Sequence, residues 1–484
     1  MRTSTLKIRI PGVQEGSNRR WIALALWLLF FVLTCYCTLG CDFLAKPIQW
    51  MYNTIKPWEY YPFWIIALGS VVAAICIYPP KISRMNATII AVVCVIWMTL
   101  EAIRVFTVPR AEVAYTLTNP MDRVGTTTVV YGESLADQLM DFSDEILWVL
   151  LLFSIFTMSK PLIGKLGMKV CLWTAILVCF VSIFYTYSPS QIGAYDAVID
   201  FFTGKSSAFP DIAGFFPEKN SFAFCIFIGL LSTMILNAEH PRAWLYVPIM
   251  LYFGATIMLS GCKTLMVILI VFTPIYMIWR VAITYRDHPI RNSITLAALI
   301  ILIVVAIALL ETRGNVANNL ISHIKNALDS LINRGGATMS SRYTIWKSAM
   351  TVYSYSPFRM IFGWGYRAGE NLSMLFQAQW ATDIQRSTHS GMLDILLRWG
   401  AIGAVGFISM LALATHKYLE LSRSGRTDLA VELAIVMALL IIYSVDESKM
   451  PFYRDTTSII LLVICVCPAM AFNDGGHYIQ EVLI

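Results

Sequence analysis

Charge is what this sequence has least of. Asp, Glu, Lys and Arg make up 14% of 484 residues, against roughly a quarter in ordinary soluble domains. That shortage excludes a chain surrounded by water on all sides. The formal charge of +6 is scattered over short loops with no dense basic run, so nothing points to nucleic acid as a partner. Neither a Walker-type phosphate loop nor a Gly-rich dinucleotide fingerprint is present. There is no Cys/His metal spacing and no outward Asp-x-Asp or His cluster to hold a catalytic metal. Eleven cysteines form no disulfide framework. Cys76, Cys94, Cys171, Cys179, Cys225, Cys465 and Cys467 fall inside apolar runs, where Cys acts as a small hydrophobe. Internal repeats and low-complexity stretches are also missing.

What is abundant is hydrophobic sequence, 57% of residues, with a mean hydropathy of +0.66. A bilayer core needs roughly 20 apolar residues per helix. About twelve candidates run near 21–40, 60–78, 86–106, 145–158, 168–187, 222–237, 243–259, 264–279, 292–310, 400–416, 429–445 and 456–472. The runs are continuously apolar rather than alternating, which favours helices over a barrel. The first resembles a signal peptide but has no clear cleavage site and reads as a retained helix. The expected fold is therefore an all-α polytopic integral membrane protein.

Lys and Arg set the orientation. Basic residues at the N-terminus, at Lys81 and Arg84, at Lys160 to Lys169, at Arg242, at Arg280 to Arg291 and at Lys417 to Arg426 mark cytoplasmic loops. The expected organisation is a cytoplasmic segment 1–20, a bundle of nine helices over 21–310, a long outer loop over 311–398, three further helices over 399–472, and a cytoplasmic tail 473–484. The outer loop is not a linker. Asn318 to Arg334 is amphipathic with a helical period, fit to lie on the membrane or the bundle. Ser340 and Ser341 read as a helix cap before Arg342, Pro357 as a helix terminator, and Gly363-Trp364-Gly365 as a tight turn. A last helix begins near Thr388-His389-Ser390.

This orientation leaves His323 and His389 as the outward histidines. His389 stands at a helix start, where partial positive charge disfavours a charged imidazole and keeps the ring available as a base. Arg386 and Arg398 act in the same sense. A capping or interfacial histidine is the commoner reading of the residue taken alone. Three outward cations stand at helix starts: Lys219 beside Asn220, Lys263 in the Ser260–Thr264 turn, and Arg342. Free N–H groups with Lys or Arg suit a phosphate; snorkelling is the plainer account of each alone. Glu101 and Arg104, three apart within a span, read either as functional charges or as an ion pair that fixes packing. Trp346, Trp364, Trp380 and Trp399 serve either as sugar-stacking rings or as interfacial anchors. Asp196 and Asp200 form an i,i+4 carboxylate pair on an outer loop, which a solvated helix face explains as well.

Four stretches together resemble the bacterial O-antigen ligase and polymerase superfamily (WaaL, Wzy), nearest its ExoQ-like exopolysaccharide polymerase branch. Gly214-Phe215-Phe216-Pro217-Glu218-Lys219-Asn220 is similar to Gly-x-Phe-x-His-Lys-Asn. Leu259-Ser260-Gly261-Cys262-Lys263-Thr264 resembles a Ser-x-Ser-Lys/Arg-Thr turn. Thr338 to Trp346 is similar to Thr-Leu-Thr-Gly-Arg-Thr-x-x-Trp. The fourth runs from Pro357 through Gly363-Trp364-Gly365-Tyr366 and Thr388-His389-Ser390-Gly391-Met392-Leu393-Asp394 to Gly400-Ala401-Ile402-Gly403. The resemblance covers about 200 to 415. Departures are Glu218 for His, Cys262 for Ser and Ser390 for Asn.

The resemblance implies a GT-C-like helical membrane enzyme of the bacterial inner membrane, with its active site facing the periplasm. It implies a metal-independent glycosyltransferase without cofactor, working in exopolysaccharide or lipopolysaccharide synthesis. The donor is an undecaprenyl-pyrophosphate-linked oligosaccharide and the acceptor a glycan, in contact with membrane lipid and with a chain-length-regulating co-polymerase as a possible partner. Carried over by position, Lys219, Lys263 and Arg342 grip the pyrophosphate and His389 activates the acceptor hydroxyl. Asn220, Glu218, Arg386 and Trp346 are additional site candidates. A polymerase of repeat units is the leading expectation. A ligase moving a finished glycan to a lipid or protein acceptor shares every motif. A lipid-linked oligosaccharide transporter suits twelve helices but lacks visible paired repeats.

Overall fold

The computed structural model describes residues 61–77, 95–104, 111–118, 124–131, 219–239, 243–285, 337–365 and 388–446, with isolated positions between them. The expected helices near 21–40, 145–158, 168–187, 292–310 and 456–472 lie outside these stretches, as do the amphipathic 318–334 segment, His323, Glu218 and Arg386.

The chain divides into two units. The first contains helix α1, Tyr61–Ile77, where the sequence places a span near 60–78. Its Ile65 and Val72 are exposed while Ala67, Val71 and Ala74 are buried. Large apolar residues outside and small ones inside suit a helix bathed in lipid.

The second unit holds the rest. It begins at 99–104, within a helix over 95–104, and continues into a two-stranded antiparallel hairpin. Strand β1 is Ala111–Thr118 and β2 is Val124–Tyr131, paired from Ala111 opposite Tyr131 to Thr118 opposite Val124. An all-α reading passes over this hairpin because its strands are only eight residues each. β-branched residues crowd β2 (Val124, Thr126, Thr127, Thr128, Val129, Val130), and such residues favour the pleated chain.

Helices α2 (Lys219–Glu239), α3 (Ala243–Leu259) and α4 (Lys263–Tyr285) follow as an up-down-up array. Then come α5 (Ala337–Tyr353), α6 (Pro357–Phe362), α7 (Gly391–Arg423) and α8 (Thr427–Asp446). α7 and α8 are long and apolar enough to cross a membrane, and α1 to α4 contain shorter apolar stretches. Exposed Val271 and Ile275 on α4, and Val405 and Ile408 on α7, give these helices apolar outer faces. The described part is thus helical apart from the hairpin, with candidate membrane helices.

α2 packs on α3, with Phe253 of α3 close to Gly229. A Cβ on Gly229 would lie 2.2 Å from the Ala175 methyl and 3.2 Å from the Phe253 ring. Beside it the buried Ser232 and Thr233 hydroxyls donate to the carbonyls one turn back, at 2.8 and 2.7 Å. Polar groups in a water-free interior must be paired in this way.

Two expectations for α5 and α6 need correction. α5 starts at Ala337, directly after Gly335-Gly336, so Ser340 and Ser341 lie inside it and do not cap it. Pro357 does not merely end a helix; it opens α6 in its first turn, with Ser356 as the flanking residue. A proline's missing N–H costs nothing at that position.

Candidate functional site

Three contacts fix which helix ends lie together. The Phe224 and Tyr443 rings stack at 4.8 Å between centroids. Phe224 is one turn into α2 and Tyr443 in the last turn of α8, so the α2 N-terminus lies level with the α8 C-terminus. On the other side, Tyr276 donates its hydroxyl proton to Glu432 Oε1 at 2.6 Å. Tyr276 stands about 20 Å along α4 from Lys263, and Glu432 about 21 Å from the end of α8. The α4 N-terminus therefore lies at that same end. α7 returns antiparallel to α8 through a tight turn at Ser424-Gly425-Arg426, where Gly425 has φ 88°. Gly400 stands about 35 Å from the end of α7 and Asp446 about 29 Å from the start of α8. The stretch before Gly400 projects beyond the bundle at that end. Lys219, Lys263 and His389 thus share one end of the helix assembly.

Lys219 is half-buried as the first residue of α2, with Asn220 beside it, also half-buried. Lys263 is exposed as the first residue of α4. The turn before it is tightly tied. Ser260 N–H donates to Thr256 O at 3.0 Å, and the Ser260 hydroxyl accepts from Cys262 N–H at 3.3 Å. Gly261 takes φ 66°. Cys262 fills the capping position of α4, buried, and its carbonyl accepts from Met266 N–H at 2.9 Å. The chain before α2 joins this turn, since Ile212 N–H donates to Leu259 O at 3.1 Å.

α7 breaks at Gly400 (φ 65°, ψ −158°). The break lets the backbone of α7 touch that of α6. A Cβ on Gly400 would lie 2.4 Å from Ile361 O, and one on Gly363 would lie 2.3 Å from Arg398 O. Trp364 N–H and Gly365 N–H then donate to Leu397 O and Arg398 O at 2.7 and 3.0 Å. The expected Gly363-Trp364-Gly365 turn is therefore the joint between α6 and the early part of α7. Ala349, Val352, Trp364, Leu372 and Leu397 make a small core there, and Trp364 Nε1 donates to Val352 O at 3.0 Å. This is buried structural use of Trp364, not sugar stacking.

Arg104 braces the joint from the other side. It pairs with Glu101 at 2.8 Å, both buried, and its Nε–H donates to the carbonyl of Phe362, the last residue of α6. Of the two readings of this pair, the packing one holds. Removing one partner of such a pair costs about 3–5 kcal/mol.

His389 lies just before α7, flanked by Ser390 at the cap position. It is half-buried between buried Thr388 and Ser390 and takes φ 50°. A left-handed conformation costs a residue with a Cβ about 1–2 kcal/mol, so neighbouring bonds must hold it. Ser390 N–H donates to Thr388 Oγ1 at 3.1 Å, and Asp394 N–H to Ser390 O at 3.0 Å. Thr388 Oγ1 also lies 2.5 Å from Asp394 Oδ1 and 2.9 Å from Ser390 O. Trp346 Nε1 donates to Thr388 O at 3.0 Å, bringing α5 to the histidine turn. Arg342, on the same helix one turn N-terminal to Trp346, enters the neighbourhood by its place on the backbone. Arg398 lies further into α7 than His389. It is buried about 13 Å further along the helix, over the Trp399 ring at 4.6 Å.

The buried Glu432 escaped the sequence reading, and the buried Thr388 and Asp394, quoted there within the His389 stretch, were given no role. Glu432 carried a usable signal, since an acid inside an apolar run is a functional candidate by default. Asp394 and Thr388 carried none beyond their places around His389.

Together these features describe a membrane-helix protein with a basic and histidine-bearing end. Residues 248–408 match the family model described as O-Antigen ligase. Over that stretch, about a third of the chain, the resemblance to the O-antigen ligase and polymerase superfamily is borne out. These are glycosyltransferase-like membrane enzymes. The match takes in Lys263, Arg342, Trp346, Arg386 and His389, while Glu218, Lys219 and Asn220 precede it. No curated protein matches the chain.

Proposed function

We propose that this protein is a membrane glycosyltransferase that polymerises undecaprenyl-pyrophosphate-linked oligosaccharide repeat units into exopolysaccharide or O-antigen. Catalysis takes place at the periplasmic face of the inner membrane, at the seam between the helix bundle and the 311–398 lid. The observation that carries this reading is the gathering of Lys219, Lys263 and the His389 turn at one end of the assembly, within and beside the O-antigen ligase match.

In this reading His389 takes the proton from an acceptor sugar hydroxyl. The oxygen attacks the anomeric carbon of the donor, and the bond to pyrophosphate breaks. Undecaprenyl pyrophosphate departs with negative charge that Lys219, Lys263, Arg342 and the amide groups opening α2 and α4 stabilise. Neither ATP nor a metal is required, because the donor is already activated and the cations are side chains. Trp346 supports the histidine turn. Asn220, Glu218 and Arg386 are further candidates for contact with the donor. The lysine at 263 favours the ExoQ-like polymerase over the ligase.

The test is made in cells carrying His389→Ala at normal protein level. Accumulation of single lipid-linked repeats supports the polymerase. Accumulation of finished lipid-linked polymer identifies a ligase instead. Repeats trapped on the cytoplasmic leaflet identify a transporter, and normal glycan removes His389 from the chemistry.

A further inference from the structure

Among the described residues, His389 alone combines a side chain beyond glycine with a positive φ. Bonds that pass around it hold it there. An ordinary helix cap would use the Ser390 hydroxyl, yet Ser390 makes no side-chain cap bond. The hydroxyl that does the tying belongs to Thr388, on the other side of the histidine. It accepts Ser390 N–H at 3.1 Å and lies 2.5 Å from the Asp394 carboxylate, five residues beyond His389. That length is typical of an O–H donating to an ionised acceptor. The hydroxyl donates a hydrogen bond to the carboxylate, and its lone pair accepts the Ser390 amide. Trp346 holds the Thr388 carbonyl at 3.0 Å from α5. Thr388 is fully buried and Asp394 is 5% exposed, so water does not compete for these bonds.

We propose that Thr388 and Asp394 are positioning residues for His389. With the Trp346 indole they lock the left-handed turn that aims the imidazole, as the orienting partner of a catalytic base does in other enzymes. The inference rests on the reading of His389 as the base. Neither residue touches substrate in this scheme; each acts through the backbone on both sides of the histidine.

Thr388→Val keeps the shape of the side chain and removes both hydroxyl bonds, whereas Thr388→Ser keeps them. Each full-length variant is purified into liposomes beside wild type and His389→Ala, and kcat and KM for the lipid-linked donor are measured with thermal stability. Misplacing a catalytic group by about 1 Å costs up to roughly a hundredfold in rate. Thr388→Val is therefore expected to lose tenfold or more in kcat with KM for the donor nearly unchanged, and Thr388→Ser to recover most of it. Asp394→Leu, close in size and without an acceptor for the Thr388 hydroxyl, replaces Thr388→Val under the same criteria should the latter fail to accumulate. Wild-type kcat in the hydroxyl-less variant, with His389→Ala inactive, overturns the positioning role while leaving the base in place. A loss that follows thermal stability alone, or that Thr388→Ser does not recover, makes the network a helix cap and also overturns it. An active His389→Ala overturns the underlying reading itself.

Discussion

Replacing Gly400 by alanine tests the joint that sets the direction of the His389 segment. The new Cβ would stand 2.4 Å from Ile361 O, 2.5 Å from Ile361 C and 2.6 Å from Gly363 N. Ordinary contact begins at 3.4 Å, so the overlap is about 1 Å against backbone that no rotamer change can move. Relief requires α6 to withdraw from α7, which stretches the Trp364 N–H···Leu397 O and Gly365 N–H···Arg398 O bonds. Leaving two buried partners unsatisfied costs about 1–3 kcal/mol each, and the left-handed backbone adds about 1–2 kcal/mol. The sum is about 3 kcal/mol or more. Gly406 on the same helix supplies the control, since a Cβ there meets nothing within 4 Å. Alanine at that position gains up to about 1 kcal/mol of helix propensity. Thermal melts of the detergent-solubilised protein, read by the surviving monodisperse fraction, should show Gly400→Ala well below wild type and Gly406→Ala equal or above. Equal melting of the two variants would refute the joint.

Three further outcomes follow from the packing. Gly229→Leu should abolish folded protein because the Ala175 methyl lies 2.2 Å from any Cβ there, whereas Gly254→Ala, with open space around it, should accumulate normally; expression and size-exclusion profiles compare them. Glu101→Gln should lower stability by about 3–5 kcal/mol by stranding the Arg104 charge, and the double apolar variant Glu101→Met with Arg104→Met should recover much of that loss, as read by a double-mutant thermal cycle. Lys263→Ala should weaken donor use by about tenfold or more, the scale of a lost charge-assisted bond, with little change in melting because Lys263 is exposed. Lys263→Arg should retain most of the activity. Equal kinetics of wild type and Lys263→Ala would take that cation out of the site.

The span positions were legible because long apolar runs leave few alternatives. The expected 243–259 helix matches α3 residue for residue, and 60–78 encloses α1. The start of α7 was readable from Ser390 and the apolar spacing after it. What escaped depends on contacts distant in sequence. The break at Gly400 exists because Gly363 and Ile361 approach it, and nothing within the run around Gly400 announces that meeting. The start of α5 was misplaced because the Ser340-Ser341 pair outweighed Gly335-Gly336, the stronger punctuation. Of the site, the cations and His389 were legible as residue types at helix ends. Their shared end became visible only through the Phe224–Tyr443 and Tyr276–Glu432 contacts.

The most direct measurement is made with purified protein in liposomes supplied with a lipid-linked oligosaccharide and a chelator of divalent metals. Wild type is expected to lengthen the glycan and release polyprenyl pyrophosphate in equal amounts, whereas His389→Ala, folded and equally abundant, is expected to bind donor and release none. Release by His389→Ala at the wild-type rate would contradict the account.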